Sequence, residues 1–255
     1  MAAETERSLN REGAYDSDLL MQLEGTFLSR ELTSMFAIGS HKFEEKQLID
    51  RLFPSLKHIA LFEPIPDHVT TLRMLEQKDS RIRVLPYAVG SSDGIAAFHL
   101  TDNDGASSSL LELGLHKELF PHVKEVATIE VQTKRLSSAI KDDHLKMPDF
   151  LFIDVQGAEY QILESIDPDI LDGVRLIYTE VSMEPLYKGG RPLSDVEALL
   201  RDRFVNVGFA PLAPHTPKHG NCVFVRRSDV PLIYRKNARF IIKRAVKRLT
   251  SMVPR

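Results

Sequence analysis

The sequence predicts a doubly wound, mostly parallel α/β sheet with an antiparallel closing strand. Three observations carry this. Short apolar runs alternate with segments whose apolar residues recur at helical spacing. The runs are continuously apolar, the pattern of strands buried on both faces, as in parallel sheets. Four of them end in a glycine or an acid: Gly39, Glu63, Asp154 and Glu180.

Taken in order, residues 1–18 are polar and read as a loose terminus before a short helix near 19–29. Residues 35–38 are an apolar strand ending at Gly39, and Phe43, Leu48, Ile49, Leu52 and Phe53 mark one face of the helix that follows. Residues 57–62 form the next strand, ending at Glu63-Pro64, and a helix carrying Val69, Leu72, Met74 and Leu75 starts near Pro66-Asp67. Residues 82–89 are strand-like, with Pro86 near the end or at an edge because proline cannot donate to a ladder. Ser91-Ser92-Asp93-Gly94 has turn chemistry. Residues 95–100 and 128–132 are further strands. Between them, 101–125 reads as a long loop with a short helical piece, and long loops in compact domains are often functional.

Residues 150–154 are the strongest strand, followed by a helix over 157–163. A strand at 176–180 and a helix at 193–203 come next. Residues 204–209 and 221–225 form the antiparallel closing pair. The division is 1–33, a polar segment and helix; 34–228, the α/β domain; and 229–255, a basic amphipathic tail.

The chain of 255 residues has a net charge of −3, is 43% hydrophobic and 27% charged, which argues against collagen, low-complexity disorder and a disulfide scaffold. The single cysteine, Cys222, cannot form an internal disulfide, as expected in a reducing, cytoplasmic setting. No apolar core of a secretory signal follows the polar start, and no stretch reaches the roughly 20 apolar residues of a spanning helix. Residues 229–255 hold eight Lys or Arg and one acid, so this tail is +7 and the remainder −10. A body this acidic argues against a nucleic-acid partner. In the tail, Ala238, Ile242, Ala245, Leu249, Met252 and Val253 share one helical side, opposite Lys236, Lys243, Arg244 and Lys247. Such a helix suits the acidic body, a second copy in a homo-oligomer, or peripheral contact with an anionic membrane.

In a parallel sheet the four strand ends share one rim, where ligands bind. An acid some 20 residues past a glycine turn suits a nucleoside ribose, because a carboxylate accepts from both sugar hydroxyls. Gly39-Ser40-His41-Lys42-Phe43 holds one glycine, and a lone glycine after a strand is more often a plain turn, so by itself it identifies no cofactor.

With these segments in order, the chain resembles the FkbM-type methyltransferases, which use S-adenosylmethionine (SAM). The resemblance rests on Phe36-Ala37-Ile38-Gly39-Ser40-His41, Leu61-Phe62-Glu63-Pro64-Ile65-Pro66, the 84–90 and 107–111 segments, and above all Phe152-Ile153-Asp154-Val155-Gln156-Gly157-Ala158-Glu159. Thr179-Glu180-Val181 and residues 219–225 complete it. It implies a Rossmann-like fold of the class I methyltransferase type. It places Gly39, Ser40 and His41 under the methionine part of SAM, Glu63 on the ribose, Ile65 and Ala88 by the adenine, and Asp154 near the sulfonium and acceptor. The chain departs from the family at Ala37, where an acid is usual, at Phe43, where a second glycine is usual, and at His41, where asparagine is usual. Phenylalanine lacks the backbone freedom of glycine. The departures leave open a rearranged loop that binds SAM, a weak enzyme, or a binding or scaffold module without catalysis. A dehydrogenase-like nucleotide enzyme is a third class, but it gives the Asp154 segment no role.

Methyl transfer to a hydroxyl needs a group that takes the proton. Asp154 is the first candidate, as base or metal ligand, with Glu180 and His219 after it. A bound Mg²⁺ could instead lower the hydroxyl's pKa. Glu159, in the first turn of a helix, also suits the helix dipole alone. His215 reads as solvent-facing and Cys222 as packed. No Cys/His set has zinc-ligand spacing, and no nucleophile elbow or P-loop is present. The expected acceptor is a small molecule, a sugar or a glycolipid, methylated on oxygen.

Overall fold

The computed structural model of the chain describes residues 19–235. The first half runs α1 (Phe27–Glu31), β1 (Ser34–Ile38), α2 (Lys46–Leu52), β2 (His58–Phe62), α3 (Pro66–Lys78), β3 (Ile82–Leu85), β4 (Ala88–Val89), β5 (Gly94–Thr101), α4 (His116–Leu119) and β6 (Glu125–Lys134). The second half runs α5 (Leu136–Asp142), β7 (Phe150–Ile153), α6 (Glu159–Ser165), α7 (Pro168–Gly173), β8 (Leu176–Ser182), α8 (Leu193–Leu200), β9 (Phe204–Pro211), β10 (His219–Arg226) and α9 (Val230–Tyr234).

The main sheet has seven strands in the order β3-β2-β1-β7-β8-β10-β9. Strands β3, β2, β1, β7 and β8 pair in parallel. β10 is antiparallel to both neighbours, so it alone runs the other way in this sheet. This is the expected doubly wound sheet with its reversed closing strand. Every residue of β1 and β7 is buried. Because successive side chains alternate, Phe36 and Ile38 enter the core on one face while Met35 and Ala37 enter the core on the other. Each such large apolar side chain contributes about 1.5–3 kcal/mol by burial.

The structure revises three sequence expectations. The helix expected over 19–29 is broken at Gly25, which has φ +72°. The ordered helix starts after Thr26, whose Oγ1 accepts from Ser29 N at 3.2 Å, while Leu19, Leu20 and Leu23 pack into the core. The strand expected over 82–89 is two strands. Pro86 ends β3, and β4 joins a second sheet of three strands, β4-β6-β5, pairing in parallel with β6. Glu180 lies inside β8 rather than at its end. The amphipathic positions of the basic tail, and residues 1–18, lie outside the described residues. Among the described residues no helix is long and apolar enough to cross a membrane.

β1 and β7 lie side by side at the centre of the sheet, and the chain leaves them in opposite directions. Their carboxyl ends therefore frame the crevice that a doubly wound sheet offers to ligands.

Candidate functional site

The loop after β1 begins with Gly39 at φ +76°. A Cβ there would sit 1.8 Å from the Asp154 backbone oxygen, so glycine is required for the β1 and β7 loops to meet. Gly39 N and Ser40 N both donate to Phe62 O at 3.1 Å, which ties this loop to the end of β2. His41 and Phe43 then take φ values of +46° and +56°. Phe43 thus adopts the left-handed backbone that glycine favours, at a cost of about 1–2 kcal/mol. Its ring is buried in the core with Ala37, Ile49 and Phe152, which offsets that cost. The loop rearranges around the departure noted in the sequence, and the cleft above it stays open.

Glu63 is buried beside this loop. Its Oε2 accepts from His41 N and its Oε1 from Ile65 N, each at 2.8 Å. Two backbone donors orient the carboxylate, and each oxygen has a second lone pair. Ile65, Ala88, Phe98 and Leu110 form an apolar cluster along the second sheet. That sheet supplies the cleft's apolar wall. The cleft itself is open to solvent, and Gly39, Ser40, His41, Glu63, Ile65, Ala88 and Asp154 all line it, together with Phe43, His68, Ser108 and Gln156. The structure brings every residue the sequence placed around a nucleoside into one cleft.

The His41 ring bridges outward. Its Nδ1 donates to Glu44 Oε1 at 2.9 Å and its Nε2 to the Asp104 carbonyl at 3.0 Å. Both partners are acceptors, so the ring is an imidazolium. Burial opposes the charge, but the Glu44 and Asp104 bonds, with the charges of Glu44 and Glu63, raise its pKa to about 9. Lys42 pairs with the Asp104 carboxylate, so the 101–108 segment is latched across the cleft. His41, His68 and Asp104 have ligand atoms within 4.8 Å of one another, a grouping that no spacing in the sequence signals.

Asp154 lines the cleft, but Glu180 and His219 do not. They line a smaller adjoining cavity, with Gly157, Tyr187 and Arg191. The proposed catalytic trio is thus divided between two compartments, and Gln156 spans the division. Its Nε2 donates to Asp154 Oδ1 at 2.7 Å and to Glu180 Oε2 at 2.9 Å. Its Oε1 accepts from Tyr187 Oη at 2.7 Å. His219 Nε2 lies 3.4 Å from Glu180 Oε1, and its Nδ1 is 2.8 Å from Ser182 Oγ. Burial, with the nearby His116, lowers the His219 pKa to about 4, so the ring is neutral at neutral pH.

Glu159 serves the loop as well as the helix. Its Oε1 accepts from Val155 N at 3.1 Å and Gly157 N at 3.0 Å. Burial raises its pKa to about 7. Asp154, Glu159 and Glu180 also have oxygens within 4.8 Å of one another. The Gln156 amide and the loop N–H groups already engage this set, so its donor pattern does not call for Mg²⁺. Burial likewise pushes the Cys222 thiol up to about 12, in keeping with a packed residue. Gln156, Tyr187 and His116 went unsingled in the sequence, since their roles depend on contacts between distant segments. The one local sign was Gln156 beside Gly157 after a strand, where both take positive φ.

Comparison with known proteins gives one consistent picture. Residues 43–205 match the family model described as the methyltransferase FkbM domain. The chain is 30% identical over 145 residues to the 2-O-methyltransferase NoeI of Sinorhizobium fredii (strain NBRC 101917 / NGR234), covering 54% of this chain and 59% of that protein. It is 28% identical over 202 residues to the methyltransferase sdnD of Sordaria araneosa, covering 70% of this chain and 75% of that one. Among solved structures, methyltransferase FkbM from Methylobacillus flagellatus KT superposes with a TM-score of 0.51 at 13% identity, over 82% of this chain and 50% of that one. The match thus spans less than two thirds of the NoeI relative's length, and the solved structure shows a shared fold.

Proposed function

Starting from the fact that this chain belongs to the FkbM methyltransferase family, we propose that it transfers the methyl group of SAM to a hydroxyl oxygen of a sugar or glycolipid-type acceptor. The observation that carries the reading is the convergence of Gly39, Glu63 and Asp154 on one cleft at the centre of the sheet. The NoeI relative is a 2-O-methyltransferase, which supports oxygen as the target.

The cleft fits the cofactor's chemistry. Glu63 is oriented by two backbone donors and offers one acceptor site per oxygen to the two ribose hydroxyls. Ile65, Ala88 and Phe98 supply an apolar wall for an adenine ring. When bound, SAM supplies an electrophilic methyl group on a sulfonium centre. The chain's own task is to aim the acceptor hydroxyl and remove its proton. Asp154, at the cleft end nearest the smaller cavity, takes that proton. Glu180 stands behind it. Neutral His219 faces Glu180, with its Nε2 3.4 Å from Glu180 Oε1.

The test uses the whole chain. SAM and S-adenosylhomocysteine should raise its melting temperature, and NAD should not. With methyl-labelled SAM and a panel of glycans and glycolipids, label should appear in an acceptor, and Asp154→Asn should abolish transfer while keeping the fold and cofactor binding. Binding of NAD in preference to SAM, or full transfer by Asp154→Asn, contradicts the reading.

A further inference from the structure

A glutamine stands between the cofactor cleft and the cavity beside it, and its geometry is unusually determined. Gln156 has φ +57°, a conformation that non-glycine residues rarely hold without compensation. Its Nε2 meets Asp154 Oδ1 at 2.7 Å and Glu180 Oε2 at 2.9 Å. Carboxylates have no proton to give, so only the NH₂ face of the amide can point at both. The other face is set independently. Tyr187 Oη donates to Gln156 Oε1 at 2.7 Å, and that hydroxyl also lies 3.2 Å from Ser107 O. The Tyr187 ring in turn leaves no room for a side chain on residue 157, where a Cβ would come within 2.6 Å of it. A flip would lose both carboxylate bonds and point the amide oxygen at two carboxylates, and the loop cannot swing away without dislodging Tyr187.

We propose that Gln156 is a positioning residue for methyl transfer: its amide holds Asp154 and Glu180 together across the boundary between the two compartments, and Tyr187 fixes the face of the amide that does so. The proposal deepens the methyl-transfer reading and rests on it for the catalytic consequence, though not for the geometry. Two carboxylates brought this close repel, and one of them ordinarily takes up a proton. A neutral amide that gives one N–H to each favours both charged forms without adding a charge of its own. Asp154 thereby stays an acceptor ready for a hydroxyl proton. The other ionisable groups around the bridge are Glu159 from α6, His219 from β10, Tyr187, and His116 from α4, with Arg191 on the wall of the smaller cavity.

The experiment separates this role from simple packing. Denaturant unfolding of the wild type and Gln156→Leu is followed from pH 4 to pH 8. Leucine fills similar space but cannot bridge, so Asp154 and Glu180, no longer sharing the amide, should repel once ionised. The variant's folding constant, relative to wild type, should fall at least tenfold further at pH 8 than at pH 4. Tyr187→Phe, which keeps the ring but frees the amide, should show the same trend more weakly. A deficit of equal size at both pH values assigns Gln156 to packing and overturns the proposal. A second variant, Gln156→Glu, tests the same geometry by binding. A fourth carboxylate beside Asp154, Glu159 and Glu180 should create a saturable Mn²⁺ site, read by titration calorimetry, that the wild type lacks and that Asp154→Asn on the same background removes. Failure to gain Mn²⁺ binding also overturns it. In the transfer assay, Gln156→Leu should lower kcat at least tenfold, leave KM for SAM within a factor of three, and move the acidic limb of the pH profile upward. If SAM does not bind at all while the unfolding series behaves as expected, the family-based reading has failed and the bridge has not.

Discussion

Replacing Glu159 by glutamine should make the protein more stable at alkaline pH. The carboxylate lies buried beneath the Asp154–Gly157 loop, and one of its oxygens, Oε1, takes both the Val155 and Gly157 N–H groups. Glutamine keeps an Oε1 that can accept the same pair. What it removes is the ionisation. Burial raises the Glu159 pKa from an ordinary 4.5 to about 7, so the folded chain holds this proton more tightly than the unfolded chain does. A raised carboxyl pKa gives stability that is fully present below pH 4.5 and is lost as pH rises to about 7. At about 1.4 kcal/mol for each tenfold of proton affinity, the loss comes to about 3 kcal/mol. Glu159→Gln escapes it. The stability of the variant minus that of wild type, measured by urea unfolding, should therefore increase by about 3 kcal/mol between pH 4 and pH 8. An unchanging difference, or one that moves the other way, would refute the reasoning, because it would mean that Glu159 is already ionised and well solvated. Glu159→Ala strands two loop N–H groups and should cost about 1–3 kcal/mol for each at pH 4, with the deficit relative to wild type shrinking as pH rises through about 7.

Further expectations follow from the cleft. Gly39→Ala forces a Cβ into the Asp154 carbonyl, so it should lower the melting temperature sharply and abolish S-adenosylhomocysteine binding by calorimetry; a well-folded, binding-competent variant contradicts the loop geometry. Glu63→Gln removes one charged acceptor from a hydroxyl pair, and hydrogen bonds to charged groups are worth about 1.5–3 kcal/mol, so the Kd for S-adenosylhomocysteine should rise about 10- to 150-fold. A change under threefold would separate Glu63 from the ribose. The His219 ring, with its pKa at about 4, should show no change in its Cε1–H chemical shift between pH 5.5 and 8, whereas His41, at about 9, should begin to titrate above pH 8.

Much of this architecture can be read from local pattern. The runs that become β1, β2, β7 and β8 are apolar along their length because both faces are covered, and no other environment tolerates that pattern outside a membrane. Glu63 and Asp154 stand out because each directly follows such a run. Pro86 signalled a break, but its consequence was hidden: whether Ala88-Val89 continues β3 or leaves to pair with β6 depends on Thr133 and Lys134, more than 40 residues away. The second sheet, and so the apolar wall of the cleft, was invisible for the same reason. Phe43 looked like a defect because the lost glycine is local while the pocket that receives its ring is assembled from Ala37, Ile49 and Phe152. Glu180 and His219 were candidates alongside Asp154, yet the wall between them and Asp154 is built by Gln156 and Tyr187, which no spacing rule links. Glu159 matched a helix-start pattern, and its larger role in bracing the loop required the backbone path of residues 154–157.

The most direct measurement is a crystal structure of the chain with S-adenosylhomocysteine. The account predicts the ribose hydroxyls within hydrogen-bond distance of both Glu63 oxygens, the adenine against Ile65 and Ala88, and the sulfur near Asp154. A nucleoside bound elsewhere, or a cleft in which Glu63 faces away from it, contradicts the account.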